Sequence, residues 1–254
     1  FSAAQALDRI SKECALPSCL ANSLAEALDD DNRRIRRAVA TTLGRMDNAD
    51  VDTLKAVGYA LTQDEDDTVR LNAATALLNL RHTSNLVVVV DDLAAALRDD
   101  SEDVVGTVVK ILKALGDEAA TAAEVIVDAL QDKRDSVRDA AVDVLISLGE
   151  LAAPAATSII KFLNHRSEGT RHAARMVLMV IGKAAAPAIL EIAKLHYGMW
   201  RRDDDDSIHV GFEFEKPAGE LLSSLGEAAL PYVGELVNML KTKSLDEIVM
   251  ALKA

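Results

Sequence analysis

Aromatic side chains are scarce in this chain: four Phe, three Tyr and one Trp among 254 residues. A cavity walled by rings is not written into it, and its apolar half has to pack through Ala, Val and Leu. Basic residues are outnumbered, 28 Lys and Arg against 41 Asp and Glu, for a net charge of −13. A phosphate-binding surface needs a basic stripe; none is visible, so a nucleic-acid partner is excluded. The surplus acid favours solubility without naming a partner. Two cysteines are too few for a disulfide framework or a four-cysteine zinc site. Cys14 and Cys19 flank Ala-Leu-Pro-Ser. They would bridge only with α-carbons within roughly 7 Å, and two buried thiols are the alternative. No apolar run approaches the roughly 20 residues of a membrane span, and Asn85–Val90 is too short. Peripheral association with a membrane complex stays open. The chain starts at Phe1 rather than Met. That start is compatible with a removed leader and with an organellar location such as a plastid, but the compartment is unknown.

What the chain does have is a period. Gly116, Gly149 and Gly182 are spaced 33 apart, and their next counterpart, Gly226, follows at 44. Pro154, Pro187 and Pro231 each follow their glycine by five, and Thr121 takes that slot after Gly116. A repeat of this length built from helical pairs is a solenoid.

The unit from 119 to 149 shows the template best. Helix A is predicted near Ala119 to Leu130, with Val125, Ile126, Ala129 and Leu130 at helical spacing. A polar turn, Gln131–Asp135, leads to helix B, which Asp135 or Ser136 is expected to cap. Helix B runs from Val137 to Leu148, and Gly149 is placed to stop it in a left-handed cap. The same template recovers Leu24–Gly44, Val57–Leu80 and Ile159–Gly182. A further copy, Leu93–Gly116, carries Val104-Val105 where Val-Arg is expected.

An A helix, a short acidic turn, Val-Arg-x-x-Ala-Ala, a leucine, a terminal Gly and a Pro five residues on together resemble HEAT repeats. The subtype is similar to the short bacterial and plastid HEAT-like repeats also found in phycobilin lyases. The resemblance covers nearly the whole chain. It implies an all-α, right-handed superhelical solenoid of about seven helical hairpins, forming a single domain over residues 1–254. Members of the family serve mostly as scaffolds and adaptors. The resemblance also implies a role for Arg36, Arg70, Arg138 and Arg171, which recur at the start of each helix B. With Asp30, Asp99 and Asp132 in the preceding turns, they would form an inter-repeat ladder of charge-assisted bonds. An anion track is the competing reading.

Enzyme readings fare poorly. Helical-repeat metal hydroxylases use His-Glu pairs, yet none of His82, His165, His172, His196 and His209 is followed by Glu. Helical-repeat DNA glycosylases need a basic face. No nucleophile elbow or phosphate-cradling glycine loop occurs. No catalytic residue, metal or cofactor is therefore expected. The alternative is a phycobilin-lyase-like chromophore-handling protein, which wants apolar or aromatic walls that this chain can hardly supply.

The period breaks once, at an insertion of about 197–216 between the two helices of the sixth unit, centred on Arg201–Phe212. It holds four of the eight aromatics. Ile208, Val210, Phe212 and Phe214 alternate with polar residues, a strand signal, and Asp203–Asp206 would form the turn of a β-hairpin-like loop. A calcium site there lacks the required spacing of oxygens. The loop either folds back on its own solenoid or reaches a partner. The candidate partner-binding residues are Tyr197, Trp200, Arg201, Arg202, Ile208, Val210, Phe212 and Phe214, with the rings as anchors. The expected function is a protein–protein interaction scaffold or adaptor within a larger complex. It would bind through the concave helix-B face and the 197–215 insertion. Phe1–Leu20 and Leu236–Ala254 are expected to cap the two ends.

Overall fold

A computed structural model of the chain describes residue 6 and residues 9–10, 20–82, 85–163, 165–182 and 184–185. The 197–216 insertion, both cysteines, the Leu236–Ala254 cap and nearly all of the Phe1–Leu20 cap lie outside the described residues, as do the sixth and seventh expected units. Every regular element among the described residues is helical. The chain divides into two compact units, Phe1–Leu148 and Gly149–Ala254.

Four hairpins build the described part of the first unit. Their A helices are α1 (Ala21–Glu26), α3 (Val51–Gln63), α5 (Val90–Ala95) and α7 (Ala123–Asp128). Their B helices are α2 (Arg33–Leu43), α4 (Asp67–Leu80), α6 (Glu102–Leu115) and α8 (Asp135–Leu148). Each A helix packs on the next A helix, and each B helix on the next B helix, so the unit has two layers. The second unit repeats the pattern with α9 (Ala156–Phe162) and α10 (Glu168–Ile181).

Short polar side chains start these helices. Asn32 accepts the Arg34 N–H at 3.0 Å, Asp50 accepts that of Thr53 at 2.8 Å, and Asp66 accepts those of Thr68 and Val69 at 3.1 Å. Each satisfies backbone donors that the first turn leaves without partners. At α8 the expectation needs correcting. Asp135 is itself the first helical residue, so neither it nor Ser136 stands before the helix as a cap. Helix A of the same unit is also not one α-helix. Gly116–Ala122 and Ala129–Gln131 are 3₁₀ turns on either side of α7. The tighter winding keeps Ala119 and Ala122 fully buried where the chain reverses.

Gly116, Gly149 and Gly182 all adopt positive φ, at 53°, 56° and 52°. The turn is not the expected left-handed cap, however, because ψ is −116° at Gly116 and −123° at Gly182. This is the first central position of a type II′ turn, which a Cβ disfavours. Gly44, which ends α2, has an ordinary φ of −70°. There the reason for glycine is space: a Cβ would lie 2.7 Å from the Cα of Ala76 in α4.

The core is aliphatic. Leu43, Leu54, Leu61, Leu77, Leu93, Ile111, Leu112 and Leu130 are essentially inaccessible. Each contributes about 1.5–3 kcal/mol relative to exposure. Ala73, Ala74 and Ala141, the small residues of the motif, are equally buried and allow close helix approach.

One expectation about apolar runs also changes. The helical stretch Asp135–Lys161, whose most apolar 18 residues have a mean hydropathy of 1.4, has the length and composition of a membrane span. The positive φ of Gly149 interrupts it, and 44% of its most apolar stretch is buried within the protein. It is two helices and a 3₁₀ turn, not one continuous helix.

Among the described residues the core has one orphaned side chain. The position held by Ile35, Val69, Val104 and Val137 at the start of helix B is Thr170 in α10. Its hydroxyl is fully buried and makes no hydrogen bond. An orphaned buried hydroxyl costs about 1–3 kcal/mol. Thr170→Val is therefore expected to raise stability by roughly 1 kcal/mol, read as a higher urea midpoint. Thr42→Val and Thr53→Val should lower it, because those hydroxyls donate to Ala38 O at 2.8 Å and Asn22 Oδ1 at 3.1 Å. A lower midpoint for Thr170→Val would show that the hydroxyl has a partner.

Candidate functional site

The helix-B side of the first unit is organised by arginines. Arg36, at the start of α2, donates through Nε to Asp64 Oδ2 at 2.7 Å and through Nη2 to Asp64 Oδ1 at 3.0 Å, in the turn of the next hairpin. Its Nη1 donates to the carbonyls of Asp30 and Asp31 in its own turn, at 2.9 and 3.3 Å. Arg70 repeats the arrangement one hairpin on. It grips Asp99 at 2.6 and 3.0 Å and donates to Asp64 O at 2.9 Å. Arg37 adds a second two-pronged bond, to Asp66 at 2.9 and 2.6 Å. The expected ladder exists at Arg36 and Arg70, with Asp64 and Asp99 as its acids. Asp30 instead accepts the Asn32 N–H on its side chain.

At the third rung the sequence has Val105, and the structure compensates from the other direction. Arg134, in the following turn, donates through Nη1 to Asp99 O at 3.1 Å and through Nη2 to Arg98 O at 2.6 Å. Asp99 O is the carbonyl that an arginine at 105 would reach. Arg134 Nε also donates to Asp132 Oδ1 at 3.2 Å, so Asp132 is held by its own turn rather than by the preceding helix. Arg138 and Arg171 keep the bonds to their own turns, at Asp132 O (2.7 Å) and His165 O (2.9 Å). Each also pairs with a carboxylate three residues earlier, Asp135 and Glu168.

These contacts set the charges. The Asp64 hydrogen bond raises Arg36 above its ordinary pKa, and Asp99 does the same for Arg70. The Arg37 bond holds the Asp66 carboxyl below the usual range, against the opposing effect of burial. Burial pushes Asp132 upward, but the bonds from Arg134 outweigh it, and its pKa is lowered. Asp92 is the exception. Half-buried on α5 with Asp91 beside it, its carboxyl is pushed up, first by desolvation. It lies over α3, where a Cβ on Gly58 would come within 2.6 Å of its Oδ2.

A groove of about 950 Å³ runs between α6 and α8, with Val105 of the ladder position in its lining. Val105, Gly106, Val109 and Ala140 supply its apolar part, with Glu102 and Asp139 among its charged residues. Gly106 is in the middle of α6 and exposed, and a Cβ there would meet nothing within 4 Å. A helix-interior glycine costs about 1 kcal/mol relative to alanine, and no packing within the protein requires this one. Among the described residues, no group of three or more His, Cys, Asp or Glu is placed to hold a metal.

The sequence-based site residues Tyr197, Trp200, Arg201, Arg202, Ile208, Val210, Phe212 and Phe214 lie outside the described residues. Sequence reasoning passed over the groove and the part played by Arg134. The signal was the missing Arg at 105, which leaves a turn carbonyl to be satisfied from elsewhere.

Stacked helical hairpins, joined from turn to turn by arginine and aspartate, define an α-solenoid of repeats. The family model for HEAT repeats matches residues 2–77 and 54–146, more than half of the chain, and the protein belongs to that family. No curated protein matches the sequence. Among solved structures, Kap121p bound to Nup53p shares the fold at 16% identity and a TM-score of 0.51, over 90% of this chain and 27% of that one. The archaeal HEAT-like repeats protein from Thermococcus onnurineus NA1 is 14% identical with a TM-score of 0.44, over 89% and 93% of the two chains. A designed armadillo repeat protein in complex with the peptide (KR)4 is 18% identical with a TM-score of 0.40, over 71% and 92%. At these identities the likeness is one of fold.

The ladder is open to test. A double-mutant cycle on Arg70→Gln and Asp99→Asn is expected to give a coupling of roughly 1–3 kcal/mol. The exposed Lys113–Asp143 pair, at 2.7 Å, should give less than about 1 kcal/mol. Equal couplings would remove the ladder's special standing. The pH dependence has two signs. Asp66, lowered in the folded state, contributes stability above the ordinary aspartate value of 3.8, lost as pH falls through its folded value. Asp92, raised, opposes folding at neutral pH and is relieved on acidification. Asp92→Asn should therefore unfold at higher urea than wild type at pH 7, with the gap narrowing toward pH 4; a constant gap would show that charge is not the cause.

Proposed function

We propose that the protein is a non-catalytic interaction scaffold or adaptor subunit that binds a protein partner through its helix-B face and the aromatic 197–215 segment. The groove between α6 and α8 carries this reading. There the ladder side chain is replaced by valine, and an exposed glycine that internal packing does not need leaves room for a visiting backbone. Kap121p, a protein of the same fold, is known bound to Nup53p and to Ulp1p, which supports protein partners for this chain as a class. Membership of a larger complex belongs to the same proposal. The groove residues are aliphatic and charged, without the aromatic walls a tetrapyrrole would favour.

Affinity capture from the native source tests the proposal, comparing wild type with Gly106→Gln and with Trp200→Ala/Phe212→Ala. Gly106→Gln meets no neighbour and removes a helix-interior glycine, so it should stabilise the fold by about 0.5–1 kcal/mol. It should nevertheless reduce recovery of the partner by filling the groove. The double variant should lose a partner anchored on the insertion. Undiminished capture by both, with native helical content, would defeat the proposal.

A further inference from the structure

Helix α10 differs from the other B helices on its exposed face. Aligned on the motif arginine, the positions five, eight and nine residues later are Thr75, Leu78 and Asn79 in α4. They are Lys110, Lys113 and Ala114 in α6, and Asp143, Ile146 and Ser147 in α8. In α10 they are Met176, Met179 and Val180, with exposures of 39%, 62% and 42%. Most of their counterparts are exposed in the earlier hairpins. This stripe therefore lies on the exposed side of a B helix, at the rim where Asn79 reaches back to Gly44 O and Lys113 pairs with Asp143 of the next B helix. Three neighbouring apolar side chains there, two of them adaptable methionines, are what a contact surface uses.

The charge beside the stripe is also reversed. The described turns that lead into α2, α4, α6 and α8 carry Asp30, Asp64, Asp99 and Asp132, whereas the turn into α10 reads His165-Arg166-Ser167. Arg166 and His172 are exposed, and Arg171 and Arg175 follow on the same helix. Glu168 is the one acid of α10, and it accepts from both Arg171 and Arg175, the latter at 3.0 Å. In a chain of net charge −13, this is a local cationic end joined to an apolar stripe. Complementarity then calls for carboxylates beside apolar side chains. A nucleic acid would supply the charge but leave the methionines without partners, and the rest of the protein would repel it.

We infer that the exposed face of α10 binds an acidic segment of a partner protein. The partner's carboxylates meet Arg166, His172 and Arg175, and its apolar side chains lie on Met176, Met179 and Val180. This rests on the reading of the helix-B face as the partner surface, and names the chemistry of one partner segment. The probe is a fluorescein-labelled helical peptide with four glutamates followed by two leucines four residues apart. Its anisotropy is read on the full chain beside versions with Ala for Leu and with Lys for Glu. The Glu-Leu peptide should bind best, and binding should weaken with salt. Met176→Thr/Met179→Gln/Val180→Ser should raise its Kd about tenfold or more, and Arg166→Gln should flatten the salt dependence. An unchanged Kd in the triple variant, or equal binding of the Lys peptide, overturns the inference. So does a shift in the emission of Trp200, the chain's single tryptophan, when the triple variant is compared with wild type without peptide; the face would then be covered by the chain itself. If native partners are lost with Gly106→Gln but retained by the triple variant, the helix-B reading stands and this inference fails. If neither change affects capture, both fail.

Discussion

A guanidinium clamped between two turns is the constraint from which the rest of the first unit follows. Arg36 and Arg70 are nearly enclosed, with side-chain exposures of 10% and 15%. A guanidinium cannot shed its charge, and its five donors need acceptors at fixed angles. The carbonyls of its own turn supply part of that set, and the two carboxylate oxygens of the next turn supply the remainder. The hairpins that end in α2 and α4 are thereby each docked at a defined distance and rotation on the next. The acidic residues Asp64 and Asp99 of the turns and the Val-Arg motif serve that one bond.

Small residues complete the docking. Gly44 against Ala76, and Gly58 beneath Asp92, leave no room for a Cβ. Asn72 and Asn79 reach from α4 to the carbonyls of Arg37 in α2 and of Gly44 just after it, at 3.2 and 3.0 Å. Where helices approach this closely, rings cannot be interleaved, and the scarcity of aromatics is the compositional trace. The proposed contact surfaces fall where the docking rule is relaxed. The groove between α6 and α8 includes Val105, where the ladder has no arginine, and a turn without acid at 165–167 turns the charge of α10 positive.

Much of this fold was readable from spacing. Gly116, Gly149 and Gly182 marked the ends of the hairpins, and the Val-Arg-x-x-Ala-Ala copies located the B helices to within a residue or two. Glycine identity could not tell a type II′ turn from a left-handed cap, nor either of these from the close approach at Gly44. Hydrophobic spacing could not show that helix A of the 119–149 unit would be split by 3₁₀ turns, since Ala suits both windings. The candidate site was less readable. Unusual composition drew attention to 197–215, whereas the groove is made of ordinary residues, Val105, Gly106 and Val109, that mean something only beside α8.

The local pattern by itself determined the helical hairpins of the described residues and the repeat class they belong to, because periodicity and motif are properties of nearest neighbours. Only tertiary structure decided which acid each arginine holds, that Arg134 works backward to fill the missing rung, and that Thr170 is orphaned. Those outcomes depend on where a side chain about 30 residues away arrives in space, and no spacing along the chain records that.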